Sequence, residues 1–223
     1  VNLIDIYNDM VRIGEEAKDR KLRPSEISKL LQNFVGSDDI KVKTSRDNNV
    51  DLNQVVIGGL YDPHEDEANS SSITLYVSFN PEQKEIYIRD IDWPQVCVDI
   101  IECSGHEIIH QEQYRARGYD IGPHIFVSGS DDEEQKIDQE YLGNPDEVDA
   151  YGYSIAVEIY LKEHPQKLKS KNVLSTVMYK TYKKAFGTLH PIVTQLLVNT
   201  IKYYTQLTNG EAHVKKSKRT VRR

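Results

Sequence analysis

Apolar residues recur at helical spacing over Leu3, Ile6, Tyr7, Met10, Ile13 and Ala17, which predicts an amphipathic helix at the start of the chain. A second amphipathic segment spans residues 25–34, directly after Pro24, and residues 47–53 read as a loop. The period then changes. Residues 73–79 alternate apolar and polar, 80–84 carry turn residues, and 85–88 read as a second strand, so a hairpin is expected there. Asp92 can cap a helix with Pro94 near its start, and helical periodicity continues to Arg117 and Gly118. Asn144 and Pro145 mark the entry to another helix, and residues 173–186 and 191–207 read as two more. The last of these gathers Ile192, Val193, Leu196, Leu197, Ile201 and Tyr204 on one side, with Gly210 as its stop. Helices on either side of a short strand region predict an α+β fold with a small β-sheet.

The candidate chemistry sits late in the helix that Asp92 opens. His106-Glu107-Ile108-Ile109-His110 places two imidazoles four residues apart, hence on one helix face, with a carboxylate between them. This H-E-x-x-H spacing suits two ligands of one metal ion, with Glu107 as the general base acting on its water. Glu102, His106, His110 and Gln113 form a polar stripe, while Cys97, Ile100, Ile101, Ser104 and Ile108 form a mostly apolar one. A helix with these two faces is expected to wall a cleft.

A catalytic zinc normally takes three protein ligands, so a third donor is required. Glu147, in the first turn of the helix that Asn144 opens, is the leading candidate. The competing reading is that Glu147 only closes a capping box with Asn144. Two rivals stay open. Asp149 points roughly 160 degrees away from Glu147 on the same helix, so only one of them can face the metal. His124, beside Pro123, is the other. Donors for a developing oxyanion are sought among Tyr114, Tyr119, Tyr151 and His124, without ranking.

His106-Glu107-x-x-His110-x-x-Gln113 followed by Tyr141-Leu142-x-x-Pro145-x-Glu147-x-Asp149-Ala150 resembles the zincin metallopeptidases of the gluzincin type, especially small peptidases of tailed phages and bacteria. The likeness covers roughly residues 73–160. It implies a zincin-like domain, one Zn2+ ion held by His106, His110 and Glu147, Glu107 as catalytic base, and a peptide or protein substrate. It also implies that strands beside the metal helix line the cleft. One departure stands out: four residues after the ligand glutamate, where better-known gluzincins carry a carboxylate or amide that holds a zinc histidine, this chain has Tyr151.

Composition limits the alternatives. At 223 residues and 38% apolar, the chain can bury a real core. The expected organisation is an N-terminal helical extension (1–50), a zincin-like core (51–165), C-terminal helices packed on it (166–210) and a basic tail (211–223). No apolar run reaches membrane length, and residues 1–5 lack a leader profile, so no membrane partner and a cytosolic place are expected, host cytoplasm or virion if phage-encoded. Cys97 and Cys103, about 9 Å apart along one helix, are too distant for a disulfide. Six of the last nine residues are basic, so an overall charge of −7 leaves the preceding 214 residues at −13. That tail suits nucleic acid or an acidic partner, and the acidic run at 131–140 reads as an exposed loop or lid. Two further functional readings follow: a zincin-like structural protein with little or no catalysis, such as a virion component, and a nucleic-acid-associated regulator.

Overall fold

The structure is a computed structural model that describes residues 3–36, 39–68, 72–120, 126–163 and 168–210. His124 and the basic residues 215–223 lie outside the described residues. In chain order the elements are α1 (Leu3–Ala17), β1 (Lys21–Leu22), α2 (Pro24–Val35), β2 (Ile40–Arg46), β3 (Val56–Tyr61), α3 (Pro63–Glu67), β4 (Ile73–Phe79) and β5 (Ile86–Tyr87). A 3-10 turn (Ile88–Asp90) leads into α4 (Trp93–Ala116), followed by α5 (Glu133–Leu142), α6 (Pro145–Glu163), α7 (Ser170–Ser175), α8 (Val177–Phe186) and α9 (Pro191–Thr208). The class is α+β. Among the described residues no helix is long and apolar enough to cross a membrane.

The local signals act where the sequence placed them. Asp92 accepts a hydrogen bond from the Gln95 N–H at 3.1 Å, which satisfies one of the free donors that open α4. Asn144 does the same for the Asp146 N–H at 3.0 Å at the entry to α6. The apolar residues of β4, Ile73, Leu75, Val77 and Phe79, are all fully buried, as strict alternation requires of a strand packed on one face.

Strand pairing differs from the expected hairpin. β4 is the centre of a three-stranded sheet of order β2-β4-β3, parallel to β2 and antiparallel to β3, while β5 pairs instead with β1. Turn chemistry at 80–84 is therefore present without joining paired strands. The first fifty residues, expected as a helical extension, contribute β2 to the sheet, with α2 packed against it. One helix expected over 173–186 is two. Thr176 is extended (ψ 149°) and buried, and its side chain accepts from the Tyr179 N–H to start α8 afresh.

Helix α4 is the centre of the molecule, packed against β3 and β4, α1 and α6, with α9 behind α6. The side of α4 that carries His106 and Glu107 is packed over by α6 and the sheet, so both are buried although polar. Close approach is set by small residues: a Cβ at Gly105 would lie 2.1 Å from the Tyr153 ring of α6, so any larger residue there would push the two helices apart. The far end of α4 is pinned by Asp66, buried at the end of α3, whose carboxylate accepts from Arg115 (2.7 Å), Gln111 (2.9 Å), Tyr119 (3.0 Å) and Tyr61 (3.1 Å). A carboxylate so fully partnered costs little to bury and fixes α4 against β3.

Candidate metal centre

Where α4 passes the first turn of α6, three donor atoms meet. His106 Nε2 lies 3.1 Å from His110 Nε2, 3.5 Å from Glu147 Oε2, and His110 Nε2 is 3.3 Å from Glu147 Oε1. Ligand bonds of about 2.0–2.2 Å in tetrahedral geometry separate ligand atoms by about 3.3–3.6 Å, so the three donors already stand within a few tenths of an ångström of that arrangement. These residues form the group of three or more His, Cys, Asp or Glu able to hold a metal ion among the described residues. Glu147 Oε2 is buried and accepts no hydrogen bond, an arrangement that costs energy unless a cation meets it.

The capping-box reading of Glu147 does not hold. The Asn144 N–H donates to the Tyr141 carbonyl, and Glu147 turns its carboxylate toward the histidines. Burial would raise the Glu147 carboxyl, but the two imidazoles outweigh it and hold the group down to about 2. Burial lowers the His110 imidazole and the Glu147 carboxylate more than reverses this, leaving it raised. Asp149 faces the other way: it takes hydrogen bonds from Tyr203 (2.9 Å) and Lys202 (3.1 Å) and ties α6 to α9.

Both imidazoles are oriented from behind. His110 Nδ1 is 2.9 Å from Gln113 Oε1, and His106 Nδ1 is 3.4 Å from Ser154 Oγ, so each ring is held on that side with its Nε2 aimed at the shared point. Gln113 is fixed in turn by the Asp146 carbonyl at 3.2 Å. Ser154 stands a full two turns after Glu147 and on the same face of α6. Tyr151 instead lays its ring against His106, 4.6 Å between centroids.

Glu107 is buried beside the three donors but is not one of them. Burial, opposed by the two histidines and reinforced by Glu147, raises its carboxyl above the usual range. β3 crosses directly over it: a Cβ at Gly59 would lie 2.5 Å from Glu107 Oε1, so the strand can pass only as glycine. β3 is an edge strand, and two cavities of about 260 Å3 each open beneath it on either side of Glu107. One holds Tyr61, His110, Tyr114 and Asn144; the other holds Ile57, Glu102, Cys103 and Tyr151. Half-exposed Tyr141 borders both, its hydroxyl 3.2 Å from that of Tyr151.

No protein-family model, curated protein or solved structure matches the chain. The site therefore rests on its own geometry. It brings His106, His110, Glu147 and Glu107 together, leaves Asp149 out, places Tyr141 of the quoted motif beside them, and adds Ser154 and β3, which the sequence did not single out. Ser154 was findable, since a residue seven positions after Glu147 shares its helix face. Of the tyrosines considered as oxyanion donors, Tyr119 is engaged by Asp66 and Tyr151 by Tyr141, whereas Tyr114 stands edge-on to Tyr61 at the cleft. A larger cavity of about 450 Å3 lies on the opposite face of α4, lined mostly by apolar side chains such as Met10, Ile100 and Ile108 and by none of the three donors.

Proposed function

We propose that the chain is a zinc-dependent peptidase of the zincin type. The observation that carries this reading is the convergence of two imidazoles and one carboxylate at tetrahedral spacing, with a fourth group, Glu107, buried beside them under an open sheet edge. Two nitrogens and one oxygen are a donor set suited to zinc with a position left for water.

A zinc ion held there supplies a Lewis acid and lets a water lose its proton near neutral pH. The chain's own groups do the rest. The free edge of β3 pairs with the main chain of an extended peptide and lays its scissile bond over His106 and Glu107. Glu107, raised by burial, accepts the water proton at its carboxylate and passes it to the leaving amine, the double role that a carboxyl near the working pH can fill. Tyr114, which lines the cavity beside His110 and stands edge-on to Tyr61, is the tyrosine we assign to donate a hydrogen bond to the carbonyl oxygen as negative charge develops there.

The test is cleavage of casein and of a mixed peptide library by the zinc-loaded full chain and its Glu107→Gln variant. The expected result is one zinc in each protein and hydrolysis by the wild type alone, with a loss of at least about 100-fold in the variant. Equal rates in the two proteins would remove Glu107 as base. Zinc bound at full occupancy with no hydrolysis of any peptide would favour the non-catalytic, structural reading.

A further inference from the structure

We infer that Arg117 and Asp146 form a clamp that holds the donor Glu147 in place, which makes Arg117 a positioning residue of the metal centre. The inference rests on the metal reading of His106, His110 and Glu147 and stands whether or not the chain cuts peptides.

Glu147 sits where its own helix holds it least. The Val148 N–H donates to the Asn144 carbonyl at 2.9 Å, the bond that begins the ladder of α6, so Asp146 and Glu147 belong to the opening turn whose N–H groups a helix cannot satisfy. Such ends fray unless something outside secures them. Three tethers converge on Asp146, the residue before the donor. Its N–H donates to Asn144 Oδ1 at 3.0 Å, its carbonyl accepts from Gln113 Nε2 at 3.2 Å, and its two carboxylate oxygens accept from Arg117 Nη1 and Nη2 at 2.9 and 2.7 Å. A carboxylate in a first helical turn ordinarily serves the free N–H groups or the helix dipole. This one gives both oxygens to an arginine at the end of α4, in the two-bond geometry that fixes direction as well as distance.

The other half of the clamp is built into α4. His106, His110, Gln113 and Arg117 follow one another at helical spacing, one stripe carried a single residue past the last turn. Along that stripe each residue meets α6: His106 Nδ1 faces Ser154 Oγ, His110 Nε2 faces Glu147, Gln113 takes the Asp146 carbonyl and Arg117 the Asp146 carboxylate. Arg117 is itself held. Its Nε donates to the Asp120 carbonyl at 3.3 Å, and its guanidinium lies over the Tyr114 ring, 4.9 Å from the centroid. Tyr114 and Asp146 line the same cavity beside His110, so one guanidinium braces both the neighbour of a metal donor and the tyrosine assigned to the carbonyl oxygen. The Arg117 and Asp146 side chains are 26% and 25% exposed, covered enough to keep a geometry that a fully solvated pair would lose.

The experiment measures zinc affinity of the full chain by competition with a chromophoric chelator, for wild type, Arg117→Met, Arg117→Lys, Asp146→Asn and the double variant Arg117→Met with Asp146→Asn. Urea unfolding of each metal-free protein runs alongside. Sign separates a clamp from a mere field. If the pair acted only through charge, removing the cation would tighten zinc and removing the anion would loosen it; a clamp loosens zinc when either half is lost. Arg117→Met and Asp146→Asn are each expected to weaken zinc binding roughly 10-fold, as loss of an outer partner does. The double variant is expected to lose no more than the worse single one, because the two residues act as a unit. Arg117→Lys keeps the charge without the two-bond fork and is expected to stay closer to Arg117→Met than to wild type. The isosteric Asp146→Asn and the charge-keeping Arg117→Lys carry the test should Arg117→Met fail to fold. Tighter zinc in Arg117→Met, losses that cancel in the double variant, an Arg117→Lys equal to wild type, or unchanged affinity with only a lower urea midpoint overturns the inference. A wild type that takes up no zinc ends it together with the metal centre. The expected zinc losses in a chain that hydrolyses no peptide uphold the clamp and sink the peptidase reading alone.

Discussion

Helix α4 presents a cavity on each of two opposite faces, and the two could hardly differ more. One is large and walled by Met10, Ile100 and Ile108; the other is a pair of smaller hollows under β3 into which imidazoles and carboxylates are aimed. Size favours the first as a binding site. Directed chemistry favours the second, because polar groups are expensive to bury and are held in converging positions only where a network of partners, here Gln113, Ser154 and Asp146, orients them. The carboxylates of α6 divide along the same line: Glu147 belongs to the metal face, and Asp149 lines the apolar cavity.

That division gives the sharpest contrast between two substitutions. Glu147→Ala should weaken zinc binding by more than the roughly 10- to 100-fold that loss of an outer partner costs, because a ligand itself is removed. Asp149→Ala should leave zinc affinity unchanged and cost about 1 kcal/mol of stability, the worth of its exposed ion pair with Lys202 and its hydrogen bond from Tyr203. Competition titration with a chromophoric chelator and urea unfolding measure the two effects. If the assignments were interchanged, the comparison between the faces would collapse.

A smaller effect probes the charge gathered on the cleft side. The Glu102 carboxyl sits at about 8 in the folded chain against about 4.3 when unfolded, so between these values the folded state holds more protons and stability falls as pH rises. Glu102→Gln removes this slope. Relative to wild type it should gain stability progressively from pH 5 to pH 8, with little difference at pH 4, as read from urea midpoints. A gain that is constant across the range would place the cause in packing instead of charge.

Much of this was written in the sequence, though unevenly. Capping and proline signals at Asp92, Pro94, Asn144 and Pro145 located both helices that carry the donors, and the H-E-x-x-H spacing located two of the three ligands. The alternation of residues 73–79 located β4. Strand β3 was illegible for a physical reason. An edge strand that exposes Val56, Gly58 and Leu60 and runs over Glu107 as glycine has no alternating pattern to read. Pairing between β2 and β4, or between β1 and β5, joins segments far apart in sequence, so local turn residues could not announce it. The break at Thr176 was hidden because apolar residues continue in helical register on both sides of it.

The central claim is that one metal ion is held by His106, His110 and Glu147, and zinc X-ray absorption on the loaded full chain tests it most directly. The account predicts four-coordinate zinc with only nitrogen and oxygen neighbours at about 2.0–2.1 Å, an imidazole signature equivalent to two rings, and loss of that signature in His106→Ala. A sulfur shell at about 2.3 Å, six oxygen neighbours without imidazole, or a spectrum unchanged by His106→Ala would contradict it.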